Sequence, residues 1–174
     1  MNFKYLLLSA LLGGLASFVW GAAYHAGLGI DERVLGKFDN SRVVSELVRD
    51  HSSGNGMYYT KEGVIAAVNM TPDLADRSQM SMAPQLVKQY LINAVAAGLL
   101  AWLLTFTGIR SALCAGGFFA LAGFAAGVAS ELSAWNWYGH STSFSLAMIV
   151  DLVACFAVTG LVVGWLRGKL DKPV

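Results

Sequence analysis

Four apolar runs, each close to the roughly 20 residues that a membrane-crossing helix needs, constrain this chain more than any other feature. They cover about 5–23, 89–107, 111–130 and 144–166, and only the last carries a charge, Asp151. The chain's three prolines, Pro72, Pro84 and Pro173, all lie outside them. Unbroken helices satisfy their own backbone groups, as hydrocarbon requires. Charged residues make up 13% of the chain, against about 25% in a soluble domain, too few to cover a water-exposed surface. The near balance of 12 Lys+Arg against 11 Asp+Glu also argues against a basic nucleic-acid binder.

The expected fold class is an all-α membrane protein: a four-helix transmembrane bundle with a small α+β extracytoplasmic insertion between helices 1 and 2. The divisions are a first helix at 1–24, the extracytoplasmic segment at 25–88, helices at 89–108 and 111–130, an outer loop at 131–143, a fourth helix at 144–166 and a cytoplasmic tail at 167–174. Orientation follows from the basic residues. With the N-terminus inside, the cytoplasmic pieces hold Lys4, Arg110, Arg167, Lys169 and Lys172 against one acid, Asp171. The outer pieces hold seven basic and nine acidic residues. Short inside segments rich in Lys and Arg are the usual topological signal, so both termini are expected in the cytoplasm.

The first run also has features of a secretory signal, with small residues at Gly21, Ala22 and Ala23. Its length, and an aromatic anchor at Trp20 and Tyr24, favour a retained helix. Trp135, Trp137 and Tyr138 fall at the same expected boundary, and Trp102, Phe106 and Trp165 at the opposite one. In the outer segment, Asp39, Asn40 and Ser41 are N-cap candidates for a helix reaching about His51. Strands are expected at 57–60 and 64–70, around a Lys61-Glu62-Gly63 turn.

Small residues let membrane helices approach closely. Gly123 and Gly127 give the third helix a Gly-x-x-x-Gly face, and Gly160 and Gly164 give the fourth another. The fourth helix's glycine face lies about 180° from Asp151 at about 100° per residue, so both faces seek protein. One could serve the bundle and the other a second subunit. An intramembrane carboxyl usually faces a bundle interior, a cavity or a partner. Asn93 lies at comparable depth to Asp151, and an interhelical hydrogen bond between them is expected.

Candidate chemistry is sparse. His25, Glu131 and His140 all fall near the outer boundary, where imidazole and carboxylate could bind a metal or exchange protons. Met57, Met70, Met80 and Met82, with His51, could offer soft ligands to Cu(I), although methionine also serves as apolar filler. No resident cofactor is expected. Cys114 and Cys155 lie at different depths and read as small apolar residues. The sequence has no HExxH, CxxC, GxSxG or phosphate-binding loop in a usable context.

Trp20-Gly-x-x-Tyr-His25, Gly54-x-Gly-Met-Tyr58 and Trp137-Tyr-Gly before an Asp-bearing last helix resemble small four-span bacterial inner-membrane proteins of uncharacterised function. The resemblance implies a fold and a location, and no reaction. The leading functional expectation is a non-enzymatic accessory, assembly or complex subunit, binding a membrane-protein partner or a second copy. The alternative is a small dimeric proton-coupled transporter centred on Asp151 and Asn93. A metal- or haem-associated membrane protein comes third.

Overall fold

The computed structural model describes residues 2–68 and 83–170. Met70, Met80 and Met82, and the last two positions of the second expected strand, lie outside the described residues. The chain is mostly helical: α1 (Phe3–Gly27), α2 (Ile30–Val34), α3 (Ser41–Asp50), α4 (Ala83–Thr105), α5 (Ala112–Tyr138) and α6 (Thr142–Leu170), with strands β1 (Gly56–Tyr59) and β2 (Ile65–Val68). Helices α1, α4, α5 and α6 have 25, 23, 27 and 29 residues and are long and apolar enough to cross a membrane. The protein is therefore a multi-pass membrane protein. At 1.5 Å per residue these helices run about 35–44 Å, longer than a hydrocarbon core of about 30 Å. Their ends reach past the apolar runs, and α5 continues to Tyr138 before Gly139, at φ +70°, ends it in a left-handed cap.

Helix α1 is not a regular α-helix throughout. It widens into π-helical turns at Ser9–Gly13 and Ala22–Gly27. In the second, the Leu28 N–H reaches the Ala23 carbonyl five residues back, at 2.8 Å. The expectation of four uniform spans is corrected at these two places.

Helix α1 packs against both α4 and α6, α5 packs against α6, and α4 also meets α6 directly at the end that carries Arg167. The α5–α6 seam is made by glycines. A Cβ on Gly160 would stand 2.6 Å from the Ala115 carbonyl oxygen, and one on Gly123 would stand 2.7 Å from that of Leu152. Gly164 meets Ala112 and Ala115, and Gly127 meets Ile149. The glycine face of α6 is thus used inside the chain. Its opposite face, with Asp151, meets α1. Neither face of α6 requires a second subunit, which removes one ground for expecting one. The α1–α4 seam is equally close, since a Cβ on Gly14 would stand 2.5 Å from Ala94 Cα.

At the end of the bundle carrying both helix termini, Tyr5 is fully buried and donates its hydroxyl to the Ala101 carbonyl at 3.3 Å. The Asn2 amide donates to the Leu170 carbonyl at 2.8 Å. Arg167, expected in a solvated tail, is instead buried in the last turns of α6, at 4% exposure. Its guanidinium donates to the carbonyls of Leu104, Thr105 (3.4 Å) and Thr107 (2.8 Å). The physical reason is that the last carbonyls of α4 have no intrahelical donors and form the negative end of the helix dipole. A planar cation with several N–H groups meets both needs.

Residues 35–82 form a separate compact unit. Within it the Asn40 side chain accepts from the Val43 N–H at 3.2 Å and starts α3. Strands β1 and β2 pair antiparallel, from Gly56 opposite Val68 to Tyr59 opposite Ile65. Gly63, at φ +89°, permits the turn between them.

Gly160→Ala should lower stability by about 1–3 kcal/mol, because its methyl meets backbone on α5. Gly117→Ala faces open space and should stay within about 0.5 kcal/mol. Thermal unfolding in detergent checks the pair. Arg167→Ala should cost about 2–3 kcal/mol by removing the donor to the Thr105 and Thr107 carbonyls, while the Leu104 carbonyl keeps its bonds from Thr107. Arg167→Lys should recover part of that loss in the same assay.

Candidate functional site

The site begins with a stripe along α6. Asp151, Cys155 and Thr159 recur every four residues and share one face at about 100° per residue. That face meets α1, which runs antiparallel to α6 and offers Ser17, Trp20, Tyr24 and His25 to it.

Trp20 donates its indole N–H to Asp151 Oδ1 at 2.8 Å. His25 Nε2 lies 3.3 Å from Asp151 Oδ2, and its Nδ1 lies 2.9 Å from Asp31 Oδ1 on α2. The imidazole therefore bridges two carboxyl groups. A neutral imidazole has one N–H and can serve only one acceptor. Joining both contacts requires one further proton, carried as imidazolium or on one of the carboxyls. Whichever group holds it, the cluster has a net charge of −1 with that proton and −2 without it. The Asp151 side chain is 19% exposed, and that of Asp31 46%, so the cluster leads from a half-buried carboxyl to an open one.

The π-helical turn makes this convergence possible. In a regular α-helix, residues five apart, such as Trp20 and His25, differ by about 140° around the axis. Bonding to the fifth residue widens the turn at Ala22–Gly27 and brings His25 round toward the face that carries Trp20. Tyr24 braces the arrangement. It stacks on Trp20 with centroids 5.8 Å apart, meets the His25 ring edge-on at 5.4 Å, and donates its hydroxyl to the Ala147 carbonyl at 2.8 Å.

Deeper along the seam, the buried hydroxyls of Ser17 and Thr159 are 2.5 Å apart. Thr159 donates to the Cys155 carbonyl at 2.8 Å, so Ser17 is the donor between the two hydroxyls. Polar groups thus follow the α1–α6 seam for about 12 Å, eight residues of α6 rise, below Asp151.

A cavity of about 460 Å³ lies in the groove between α4 and α6, with α1 as its floor. His25 and Asp151 stand in its wall, together with Gln89 and Asn93 from α4 and the rings of Phe18 and Phe156. Asn93 shares the cavity with Asp151 as their common depth suggested. Its carbonyl instead accepts from Gln89, one turn earlier on α4, at 3.0 Å. The partners of Asp151 are Trp20 and His25, which replaces the expected Asn93 bond.

The other candidate residues are not drawn together. Glu131 accepts from the adjacent Ser130 at 3.3 Å, and His140 sets its ring edge-on to Phe144 at 5.1 Å. Neither joins the His25 cluster. Met57 is exposed on β1, and His51 ends α3. Among the described residues, no group of three or more His, Cys, Asp or Glu side chains is placed to hold a metal ion. Cys114 and Cys155 are both free thiols.

Asp31 and Trp20 join the site without a signal in the sequence for it: Trp20 has the position of an interfacial anchor, and Asp31 is one of nine outer acids. Comparison with protein-family models, with curated proteins and with solved structures found no match. The resemblance to small four-span inner-membrane proteins therefore rests on its three short motifs alone.

Trp20→Phe keeps a ring on Tyr24 but removes the donor to Asp151. It should cost about 1.5–3 kcal/mol, the range for a hydrogen bond to a charged group. In a double-mutant cycle with Asp151→Asn, chemical denaturation should give a coupling of at least about 0.5 kcal/mol.

Proposed function

We propose that this protein is a small proton-linked carrier of the bacterial inner membrane, working as a dimer around Asp151. One observation carries the reading. The Asp151 carboxyl stands in the wall of a cavity between two spans and lies 3.3 Å from His25, whose other ring nitrogen lies 2.9 Å from Asp31. Polar groups in a membrane span ordinarily mark a pathway, a cavity or a partner. Asn93 adds an amide to the same cavity from the facing helix. The four spans leave the groove between α4 and α6 open along one side, and a second copy would close it.

Both termini lie in the cytoplasm on this reading, supported by the basic residues Lys4, Arg110, Lys169 and Lys172. The His25 end of the groove then faces the extracytoplasmic side. Asp31 is the group through which protons enter from that side.

A second reading is an accessory or assembly subunit that holds a membrane-protein partner. Helix α3 favours it, since Val43 and Leu47 stand exposed on one side, at 54% and 59%. Those residues would be the contact surface.

Proteoliposomes with a pH-reporting dye trapped inside separate the two. Under an imposed pH gradient, at least one class in a panel of amines, sugars, amino acids and carboxylic acids should move protons through the wild type. Asp151→Asn should move none, and the purified protein should be a dimer. If no class moves protons, and the protein is a monomer bound stoichiometrically to another membrane protein, the carrier reading falls and the subunit reading stands.

A further inference from the structure

We propose that the ligand of the α4–α6 cavity is a monovalent organic ammonium ion, which binds Asp151 in exchange for the cluster's proton. This rests on the carrier reading and names the substrate class for it. The first argument is charge. Loss of the shared proton leaves two carboxylates beside a neutral imidazole, and the one in the cavity wall, Asp151, is mostly shielded from water, where unpaired charge is costly. Only a ligand bringing a positive charge restores the balance. The exchange is simple: one ammonium ion enters, one proton leaves, and the net charge of the site is unchanged.

The groups facing the cluster agree. Helix α1 brings Tyr24 and His25, α2 brings Asp31, and α6 brings Asp151 and Cys155. The polar side chains that α4 brings to the cavity are the uncharged amides of Gln89 and Asn93. Among the described residues no Lys or Arg lines the cavity, so an anion would find no permanent positive charge there. Asp151 Oδ1 is fixed by the Trp20 indole, leaving Oδ2, the oxygen on the His25 side, to exchange partners.

Shape and lining then select an organic cation over a metal ion. Away from Asp151 the wall is apolar, with Leu100, Leu152 and the rings of Phe18 and Phe156. A hard metal ion needs several oxygen ligands, and among the described residues the cavity wall has one carboxylate, Asp151. An apolar body carrying one ammonium head matches both parts of the wall, and aromatic faces attract such a head as it enters.

Three probes of nearly one shape test the assignment on purified wild-type protein in detergent: phenethylammonium, 3-phenylpropionate and 2-phenylethanol. Titration calorimetry in two buffers of different ionisation enthalpy counts protons. Phenethylammonium should bind with about one proton released per cation. Its affinity should rise by up to about tenfold per pH unit while the cluster holds its proton, because proton and cation compete for one site. The acid and the alcohol should bind at least about tenfold more weakly.

Asp151→Asn should lose cation binding. In Asp31→Asn, an amide that can donate or accept faces His25 Nδ1, so no extra proton is needed. That variant, at an exposed position, should still bind the cation while releasing almost no proton. Equal or tighter binding of the acid or the alcohol overturns the assignment, as does cation binding without proton release in the wild type. Unchanged proton release in Asp31→Asn also overturns it. If the proteoliposome panel moves protons with another class and phenethylammonium does not bind, this inference fails while the carrier reading stands.

Discussion

Lipid offers no hydrogen bonds, so every polar group that α1 carries into the membrane must find its partner on a neighbouring helix. The seam between α1 and α6 answers that constraint at five side chains. Tyr24 reaches the Ala147 carbonyl, Trp20 and His25 reach Asp151, Ser17 reaches Thr159, and Asn2 reaches the Leu170 carbonyl. Side-chain donors recur at helical intervals, and two antiparallel helices are thereby held in one register. Because α4 packs against α1 and α5 packs against α6, the bundle depends on this seam. The α5–α6 contact is different in kind. Glycines bring those backbones together, and dispersion between close surfaces holds them.

The candidate site lies on the seam itself. Two of the residues that fix α1 against α6, Trp20 and His25, do so through Asp151. A regular helix would give α1 either Trp20 or His25 on the α6 face, since the two would be about 140° apart. The widened turn at Ala22–Gly27 gives it both. Such turns have poorer backbone geometry than an α-helix and persist where side-chain contacts over-determine them. Here Tyr24, locked between Trp20, His25 and the Ala147 carbonyl, provides that constraint. The distortion lies in α1 beside the cavity, while α6 stays helical past Asp151.

Much of this architecture was legible in the sequence. Hydropathy alone placed four spans, because length and apolarity are what a bilayer selects. Asn40 was among the caps expected for α3, and Gly63 lay in the expected turn, since both depend on local chemistry. The glycines at 123, 127, 160 and 164 announced close packing but not which helix they would meet. The site was harder to read. Asp151 stood out as an intramembrane charge, yet matching depth pairs it with Asn93, whereas Asn93 bonds Gln89 on its own helix and α1 supplies the partners of Asp151. A π-helical turn leaves no residue signature of its own, so the convergence of Trp20 and His25 was hidden. Arg167 was hidden for a related reason. A basic residue after an apolar run reads as a solvated tail unless one knows that another helix ends beside it.

The two charged residues that α6 buries can now be set against each other. Arg167 and Asp151 are sixteen positions apart, about 24 Å along the helix. At an effective dielectric of about 20, unit charges at that distance interact by only about 0.7 kcal/mol, whereas a pair at 4 Å reaches about 4 kcal/mol. Arg167 therefore does little to balance Asp151, and its donors are spent on the carbonyls that end α4. Charge balance at Asp151 must be local. The protein places there an imidazole between two carboxyls, a group whose charge can be removed by losing a proton. A Lys or Arg in place of His25 would make a permanent ion pair and a fixed seam. With histidine, the same contact can open, and what replaces the proton depends on what the cavity holds.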